Sequence, residues 1–177
     1  MSRYIALLRG INVSGANKVP MADLRAMLVG LGFESVQTYI QSGNAVFGAR
    51  QEQGALQGMI EAAFFERFGL TVPIIVISSE ALAAAIAANP FAHGLDDPTK
   101  LHLGFMAAEP STEAVALLKT KPHSGEAWRI SGKNFYFHTP AGMGTSKLFP
   151  FIERTLKVAV TFRNWRTVEA LRGIAGS

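Results

Sequence analysis

The order in which strand-like and helix-like segments follow one another is the feature that most restricts the fold of this chain. In the first half, β-branched and alternating apolar residues predict four strands, and apolar residues at helical spacing predict two helices. The strands are expected at 3–12, 36–41, 44–47 and 72–77, and the helices at 20–31 and 56–68. Taken in chain order, these segments give βαββαβ.

The second half repeats this order of elements without repeating the residues. Its strands are expected at 100–107, 127–131, 134–138 and 158–163, and its helices at 112–119 and 146–157, with further helices over 79–88 and around Trp165 to Leu171. We therefore predict an α+β fold built as a tandem repeat of two ferredoxin-like βαββαβ units, 1–89 and 90–177. Each unit should be an antiparallel sheet with helices on one face and its first and third strands at the centre.

The helix over 56–68 has the clearest apolar stripe in the chain. The stripe recurs every three or four positions, ends before Gly69 and consists of Leu56, Met59, Ile60, Ala63, Phe64 and Phe68. Because such a stripe faces a core, we expect its large side chains, Leu56, Met59, Ile60, Phe64 and Phe68, to be mostly buried.

The face of each predicted sheet that has no helices is left for a ligand, a partner or the other repeat. In the second sheet, Leu101, Leu103 and Phe105 are expected to pack under the helices, which places His102 and Met106 on the open face. The same alternation adds Arg129, Tyr136, His138, Thr161 and Arg163 to that face.

A basic sheet face that carries an aromatic residue suits single-stranded RNA, whose bases stack on such side chains. Two observations oppose this reading. The RNP1 motif of RNA-recognition domains is absent, and Phe135 with Phe137 fit the outward positions as well as Tyr136 with His138 do.

Composition limits the classes of protein that this chain can belong to. It has no cysteine, which excludes disulfide scaffolds and thiolate metal sites and suits a reducing compartment. No signal peptide and no apolar stretch of about 20 residues is present, so we expect a cytoplasmic protein that does not interact with membranes. The net charge of +4 favours anionic partners slightly.

Motifs that would identify a reaction or a cofactor are missing. The sequence has no Gly-x-Ser-x-Gly elbow, no His-Glu-x-x-His helix and no dinucleotide fingerprint. His93 with Asp96 and Asp97 is too small a group to indicate a metal site, and Glu113, Glu126 and Glu153 are scattered. We predict neither a metal nor a cofactor, and no catalytic residue is assigned.

The loop before the helix at 146–157 has the composition of a phosphate site. Gly142 and Gly144 allow main-chain N–H groups to converge, while Ser146 and Lys147 add a hydroxyl and a cation at the helix N-terminus. The spacing is not that of a Walker A loop. The alternative is that Ser146 or Thr145 only caps the helix.

A second set of candidate ligand-binding residues follows the first strand and the first hairpin. Arg9, Asn12 and Lys18 lie in or beside the loop after the first strand, and Ser42 and Asn44 flank the glycine of the hairpin turn. The alternative is ordinary turn chemistry, because Asn, Ser and Gly favour turns for local hydrogen bonding. Arg163, at the end of the last strand, is a further candidate.

Four segments together resemble a bacterial family, the domain of unknown function 1697. They are Leu7-Leu8-Arg9-Gly10-Ile11-Asn12-Val13, Tyr39-Ile40-Gln41-Ser42-Gly43-Asn44, Ser146-Lys147-Leu148, and Arg163-Asn164-Trp165 with Thr167-Val168. The resemblance implies a duplicated ferredoxin-like fold and brings no activity. Where members often have Gly-Gly-Lys, this chain has Ser14-Gly15-Ala16, and Thr145 replaces an arginine before Ser-Lys-Leu.

Two functions follow from these observations. The first is a binding module for an anionic ligand, either a phosphate-containing small molecule or single-stranded nucleic acid. The alternative is a small-molecule enzyme of unknown reaction with its site in the groove between the two repeats. The protein is expected to be a monomer or a homodimer.

Overall fold

The computed structural model describes residues 1–177 as eight strands and six α-helices. The strands are β1 (Ser2–Leu8), β2 (Glu34–Tyr39), β3 (Asn44–Ala49), β4 (Ile74–Ser78), β5 (Leu101–Met106), β6 (Ala127–Ser131), β7 (Asn134–His138) and β8 (Val160–Asn164). The helices are α1 (Met21–Gly30), α2 (Gln53–Phe68), α3 (Ser79–Ala87), α4 (Thr112–Leu118), α5 (Phe149–Leu156) and α6 (Trp165–Ala175). Short 3₁₀ turns cover Ala92–Asp96 and Met143–Thr145.

The strands form two four-stranded antiparallel sheets, and this confirms the predicted fold class. The strand orders are β2-β3-β1-β4 and β6-β7-β5-β8. In each sheet the first and third strands of the repeat lie side by side at the centre, as right-handed crossovers require. The protein is an α+β duplication of a βαββαβ unit.

The chain divides into two compact units that do not follow the repeat boundary. Unit 1 comprises Met1–Ala84 together with Glu169–Ser177, and unit 2 comprises Ala85–Val168. Within unit 1, the Arg3 guanidinium donates a hydrogen bond to the Ile174 carbonyl at 3.3 Å. This bond connects the segment Glu169–Ser177 to β1. The division at residues 89 and 90 concerns the repeat of elements and stays a prediction.

In unit 1, α1 and α2 cover one face of the first sheet. Leu56, Ile60 and Phe64 of the α2 stripe are fully buried, and Met59 and Phe68 pack against the same core. The predicted burial of this stripe is confirmed. The strand residues of this core are Tyr4, Ala6, Leu8, Ala45, Phe47, Ala49, Ile74 and Val76.

In unit 2, the expected orientation of β5 is wrong. Met106 lies in the core that α4 and α5 form with Phe135 and Phe137, and the pairing of His102 with Phe137 places His102 on the same face. Leu101, Leu103 and Phe105 therefore lie on the opposite face, where Leu103 pairs with Tyr136 and Arg163.

The reason for this orientation is Gly104 at the centre of β5. The Phe162 ring of β8 occupies the space beside Gly104, where an added Cβ would lie 2.6 Å from the ring. Both faces of β5 are buried, so alternation of apolar residues does not identify the helix-covered face. Phe135 and Phe137 face the helices, and the alternative in which they turn outward is also wrong.

The face of β7 that carries Tyr136 is not open. Tyr136 is 1% exposed, and its hydroxyl donates to the Ala85 carbonyl of α3 at 2.6 Å. A nucleic-acid base has no room to stack on this ring. No helix of the protein has both the length and the apolar character to span a membrane.

Candidate functional site

Asn12 holds together the loop between β1 and α1, which spans residues 9–20. Its side-chain amide donates to the carbonyls of Val19 at 2.8 Å and Gln41 at 2.9 Å, and its Oδ1 accepts the Val19 amide at 2.8 Å. These bonds join the end of the loop to the turn between β2 and β3. The two loops that the sequence singled out in this half of the chain thus meet at one end of the first sheet.

The turn between β2 and β3 packs directly on the end of β1. The Leu8 amide donates to the Gly43 carbonyl at 2.8 Å, and a Cβ on Gly43 would lie 2.8 Å from the Leu8 carbonyl oxygen. The buried Asn44 amide donates to the Tyr39 carbonyl and to the Ser42 hydroxyl, at 3.1 and 3.0 Å. Asn44 therefore shapes the turn, with Ser42 as one of its acceptors.

The loop over 9–20 has an unusual backbone. Asn12, Ser14 and Asn17 have φ angles of 54°, 51° and 48°, and Gly15 has a φ of 75°. Each non-glycine residue in this region costs on the order of 1 kcal/mol, which the surrounding hydrogen bonds must offset. One such bond joins the Asn17 side-chain amide to the Gly10 carbonyl at 2.9 Å.

A pocket of about 380 Å³ lies beside this loop. It is lined by Asn12, Gly15, Lys18, Val19, Pro20, Met21 and Gln41. Lys18 is the only charged residue of the lining, and it is exposed. The pocket therefore has a positive charge and no carboxylate.

The N-terminus of α1 borders the same pocket. Pro20 precedes the helix and supplies no side-chain cap, and its carbonyl accepts the amides of Asp23 and Leu24. The Met21 and Ala22 amides have no partner in the chain. Asp23, the acid of the first turn, lies 3.6 Å from the Arg67 guanidinium. Free amides and the helix dipole both favour an anion here.

In unit 2, the loop over Gly142 to Lys147 already holds an anion, the carboxylate of Glu126. Oε1 of Glu126 accepts the Ser146 hydroxyl at 2.5 Å and the amides of Lys147 and Leu148 at 2.9 and 3.4 Å. The Ser124 amide donates to Oε2. An external phosphate would have to displace this carboxylate.

These hydrogen bonds change the acidity of Glu126. Burial alone raises the pKa of this carboxyl, but the hydrogen bonds from Ser146, Ser124 and Leu148 outweigh burial and lower the pKa to about 2. Glu126 is therefore charged at neutral pH and compensates the positive end of α5.

Ser146 also has the capping role that was the alternative to phosphate binding. Its hydroxyl oxygen accepts the Phe149 amide at 3.0 Å while its hydroxyl proton is donated to Glu126. The Thr145 hydroxyl donates to the carbonyls of Ala141 and Gly142, and Gly142 has a φ of 96°. The Lys147 side chain is exposed.

The two arginines among the candidate residues lie at strand ends. Arg163, at the end of β8, shares a sheet face with Leu103, and its guanidinium donates to the Phe162 carbonyl at 3.0 Å. Burial lowers the pKa of Arg163 to about 10. Arg9 follows β1, and its amide donates to the Pro73 carbonyl at 3.0 Å.

A larger pocket, of about 520 Å³, was not predicted from the sequence. It lies in unit 2 along β6 and is lined by Phe91, Val115, Lys119, His123, Glu126, Ala127, Trp128, Arg129 and Ile130. These residues come from a loop, a helix and a strand, and no local motif connects them. Glu126 was not identified from the sequence either. A carboxylate is generally favoured near the N-terminus of a helix such as α5, but the sequence does not indicate which Asp or Glu lies there.

Comparison with known proteins gives a family and a fold. A family model described as protein of unknown function (DUF1697) matches residues 1–136, which include the segments at 7–13 and 39–44. The conserved bacterial protein SP0830 from Streptococcus pneumoniae has a similar solved structure, with a TM-score of 0.81 and 25% identity over 98% of each chain. No curated protein matches the chain.

Proposed function

The chain belongs to the DUF1697 family, and from its geometry we propose that it binds a phosphate-containing small molecule in the pocket of unit 1 between Lys18 and the start of α1. The proposal rests on one observation: a cation and the uncapped N-terminus of a helix border the same pocket, and no carboxylate lines it. A volume of about 380 Å³ fits the lower range of small-molecule pockets.

Several groups of the pocket have assigned roles in this proposal. The Lys18 ammonium pairs with a phosphate oxygen, and the Met21 and Ala22 amides donate to the same group. Asn12 is a positioning residue, because its side chain is fully used in holding the loop against the turn at Gln41. Gly15 allows the loop to approach the ligand closely.

The contrast with unit 2 supports this choice of site. The Gly142 to Lys147 loop has comparable donors, but Glu126 accepts the hydrogen bonds of its hydroxyl and amides. The loop in unit 1 has no such internal anion. A small phosphate compound is favoured over single-stranded nucleic acid, because Tyr136, the aromatic residue expected to stack bases, is buried. The lack of cysteine supports a location in the cytoplasm.

Titration of phosphate, pyrophosphate and a short oligonucleotide against the protein tests the proposal. We expect pyrophosphate to shift the amide resonances of Gly15, Lys18, Met21 and Ala22, and the affinity to fall as salt is added. Lys18→Ala should weaken binding about tenfold, the loss expected for one charge-assisted hydrogen bond.

Lys147→Ala is the matched control, since it removes an exposed lysine beside the other glycine-rich loop. It should bind pyrophosphate as the unmodified protein does. The proposal is wrong if none of the three ligands shifts the amides of unit 1, or if Lys147→Ala loses binding while Lys18→Ala keeps it.

A further inference from the structure

The two sheets have four edge strands, and on three of them the ladder is irregular or a main-chain carbonyl of the edge already accepts a side-chain hydrogen bond. In β2 the register with β3 shifts between Glu34 and Gln37, which interrupts the regular ladder. The Val76 carbonyl of β4 accepts the Gln53 side chain at 2.9 Å, and the Phe162 carbonyl of β8 accepts the Arg163 guanidinium at 3.0 Å. An interrupted register hinders edge-to-edge association, and each of the two side chains occupies a carbonyl that an added strand would need.

The fourth edge strand, β6, has a regular register and pairs with β7 alone. Its hairpin closes with a two-residue turn, so Ser131 and Asn134 form the first hydrogen-bonded pair, and alternate pairs along the ladder are bonded in the same way. The main-chain groups of Trp128 and Ile130 therefore point away from β7. No other group of the chain bonds to them.

The 520 Å³ pocket runs along this free edge and has an apolar part. Its apolar lining includes Val115 of α4, Phe91 of the loop between α3 and β5, and the half-buried Trp128 and Ile130 of β6. In strand addition, main-chain hydrogen bonds provide affinity and side pockets select alternate side chains. The free edge and the lined pocket are the two parts that this mode of binding needs.

The charges of the pocket indicate the chemistry of the partner. Lys119 and Arg129 line it, and they outnumber its one carboxylate, that of Glu126, which already accepts hydrogen bonds from the Ser146 hydroxyl and the amides of Lys147 and Leu148. A second copy of the chain, paired through its own β6, would bring Arg129 close to its counterpart. Like charges in such a position are destabilising, whereas acidic side chains are attracted.

We propose that the β6 edge binds an extended acidic peptide segment of another protein by strand addition. The peptide forms main-chain hydrogen bonds with Trp128 and Ile130. Its acidic side chains lie on the sheet face of Arg129 and pair with that residue, while its apolar side chains lie on the other face, beside Trp128 and Ile130. This site lies in unit 2 and is independent of the phosphate pocket in unit 1, so each proposal succeeds or fails without the other.

The test uses a blocked heptapeptide of alternating glutamate and valine, titrated against the full-length chain. A change in tryptophan emission reports binding at Trp128, which lines the pocket, because Trp165, the other tryptophan, is 3% exposed and out of reach of the peptide. A peptide N-methylated at alternate amides loses the edge hydrogen bonds but keeps its charges. We expect the unmodified peptide to bind, and either N-methylation or replacement of glutamate by lysine to weaken binding at least about tenfold.

Arg129→Glu should weaken binding of the acidic peptide about tenfold, while Arg50→Glu, the same charge change at an exposed position of unit 1, should leave it unchanged. Equal affinity for the N-methylated peptide overturns the proposal, since binding is then not strand addition. Equal affinity for the lysine peptide overturns its charge preference. A dimer in sedimentation equilibrium that Arg129→Glu alters would identify a second copy as the occupant and also overturns it.

Discussion

The carboxylate of Glu126 occupies the position that a bound anion would take at the start of α5. Glu126, twenty positions before Ser146 in the chain, thus caps the start of α5 together with Ser146. The glycine-rich loop was correctly identified from the sequence as a place where donors converge. Its acceptor could not be identified, because the nearness of residues 126 and 146 depends on the pairing of β6 with β7 and on the packing of α5.

Replacing Glu126 with alanine should lower the free energy of unfolding by about 2 kcal/mol. The variant leaves the Ser146 hydroxyl and the Lys147 amide without their charged acceptor. Urea denaturation followed by circular dichroism measures the loss. Glu66→Ala, at an exposed position of α2 without such contacts, should change the free energy by less than about 0.5 kcal/mol. Equal losses in both variants would show that Glu126 has no special role.

At the scale of elements, α2 shows how a stripe of apolar residues translates into packing. Phe64 lies at its centre, fully buried, with its ring centroid 4.9 Å from that of Phe68. The helix ends at Gly69, whose φ of 66° is the left-handed conformation that glycine adopts without strain.

Phe64→Ala should destabilise the protein by about 3–5 kcal/mol, because it leaves a cavity between α2 and the sheet. Phe65→Ala is the matched control on the same helix, since Phe65 is 59% exposed, and it should cost less than about 1 kcal/mol. Thermal and chemical denaturation of the two variants measure the difference. Similar losses at both positions would contradict the assigned orientation of α2.

The elements themselves were largely predictable, whereas the orientation of β5 and the sites were not. Periodicity identified the stripe of α2 and the strand order, since both depend on local patterns and on the handedness of crossovers. Alternation failed at β5 because both of its faces are apolar and buried, and Gly104 gave no indication that the Phe162 ring lies against it. The 520 Å³ pocket along β6 could not be predicted, because its prediction requires knowing which strand lies at the edge of the sheet.

For the molecule as a whole, His102 and Glu126 have the largest pKa shifts among the groups of unit 2 that titrate in acid, and both make stability depend on pH. Burial lowers the pKa of His102 from 6.5 to about 4, and Nδ1 of this ring has no hydrogen-bond partner. The unfolded chain therefore binds a proton at this residue at a higher pH than the folded chain does, so acid favours unfolding between about pH 6.5 and 4. Glu126 contributes stability above its unfolded pKa of 4.5 that is lost as pH falls toward 2.

The free energy of unfolding should therefore decrease in two successive pH windows. The upper window is due mainly to His102, with a contribution from His138, whose pKa is also lowered by burial. In His102→Gln the decrease between pH 6.5 and 4 should become smaller, while the decrease below pH 4.5 remains. Urea denaturation at a series of pH values between 7 and 3 measures both. An unchanged slope between pH 6.5 and 4 in the variant would assign that window to other groups.

The assignment of Glu169–Ser177 to unit 1 has a consequence for the order of events during synthesis. Ribosomes release the chain from its N-terminal end, and domains generally fold in that order. Unit 2, made of the uninterrupted segment Ala85–Val168, has all its residues before unit 1 does. The half of the molecule that is translated first is therefore the half that is completed last.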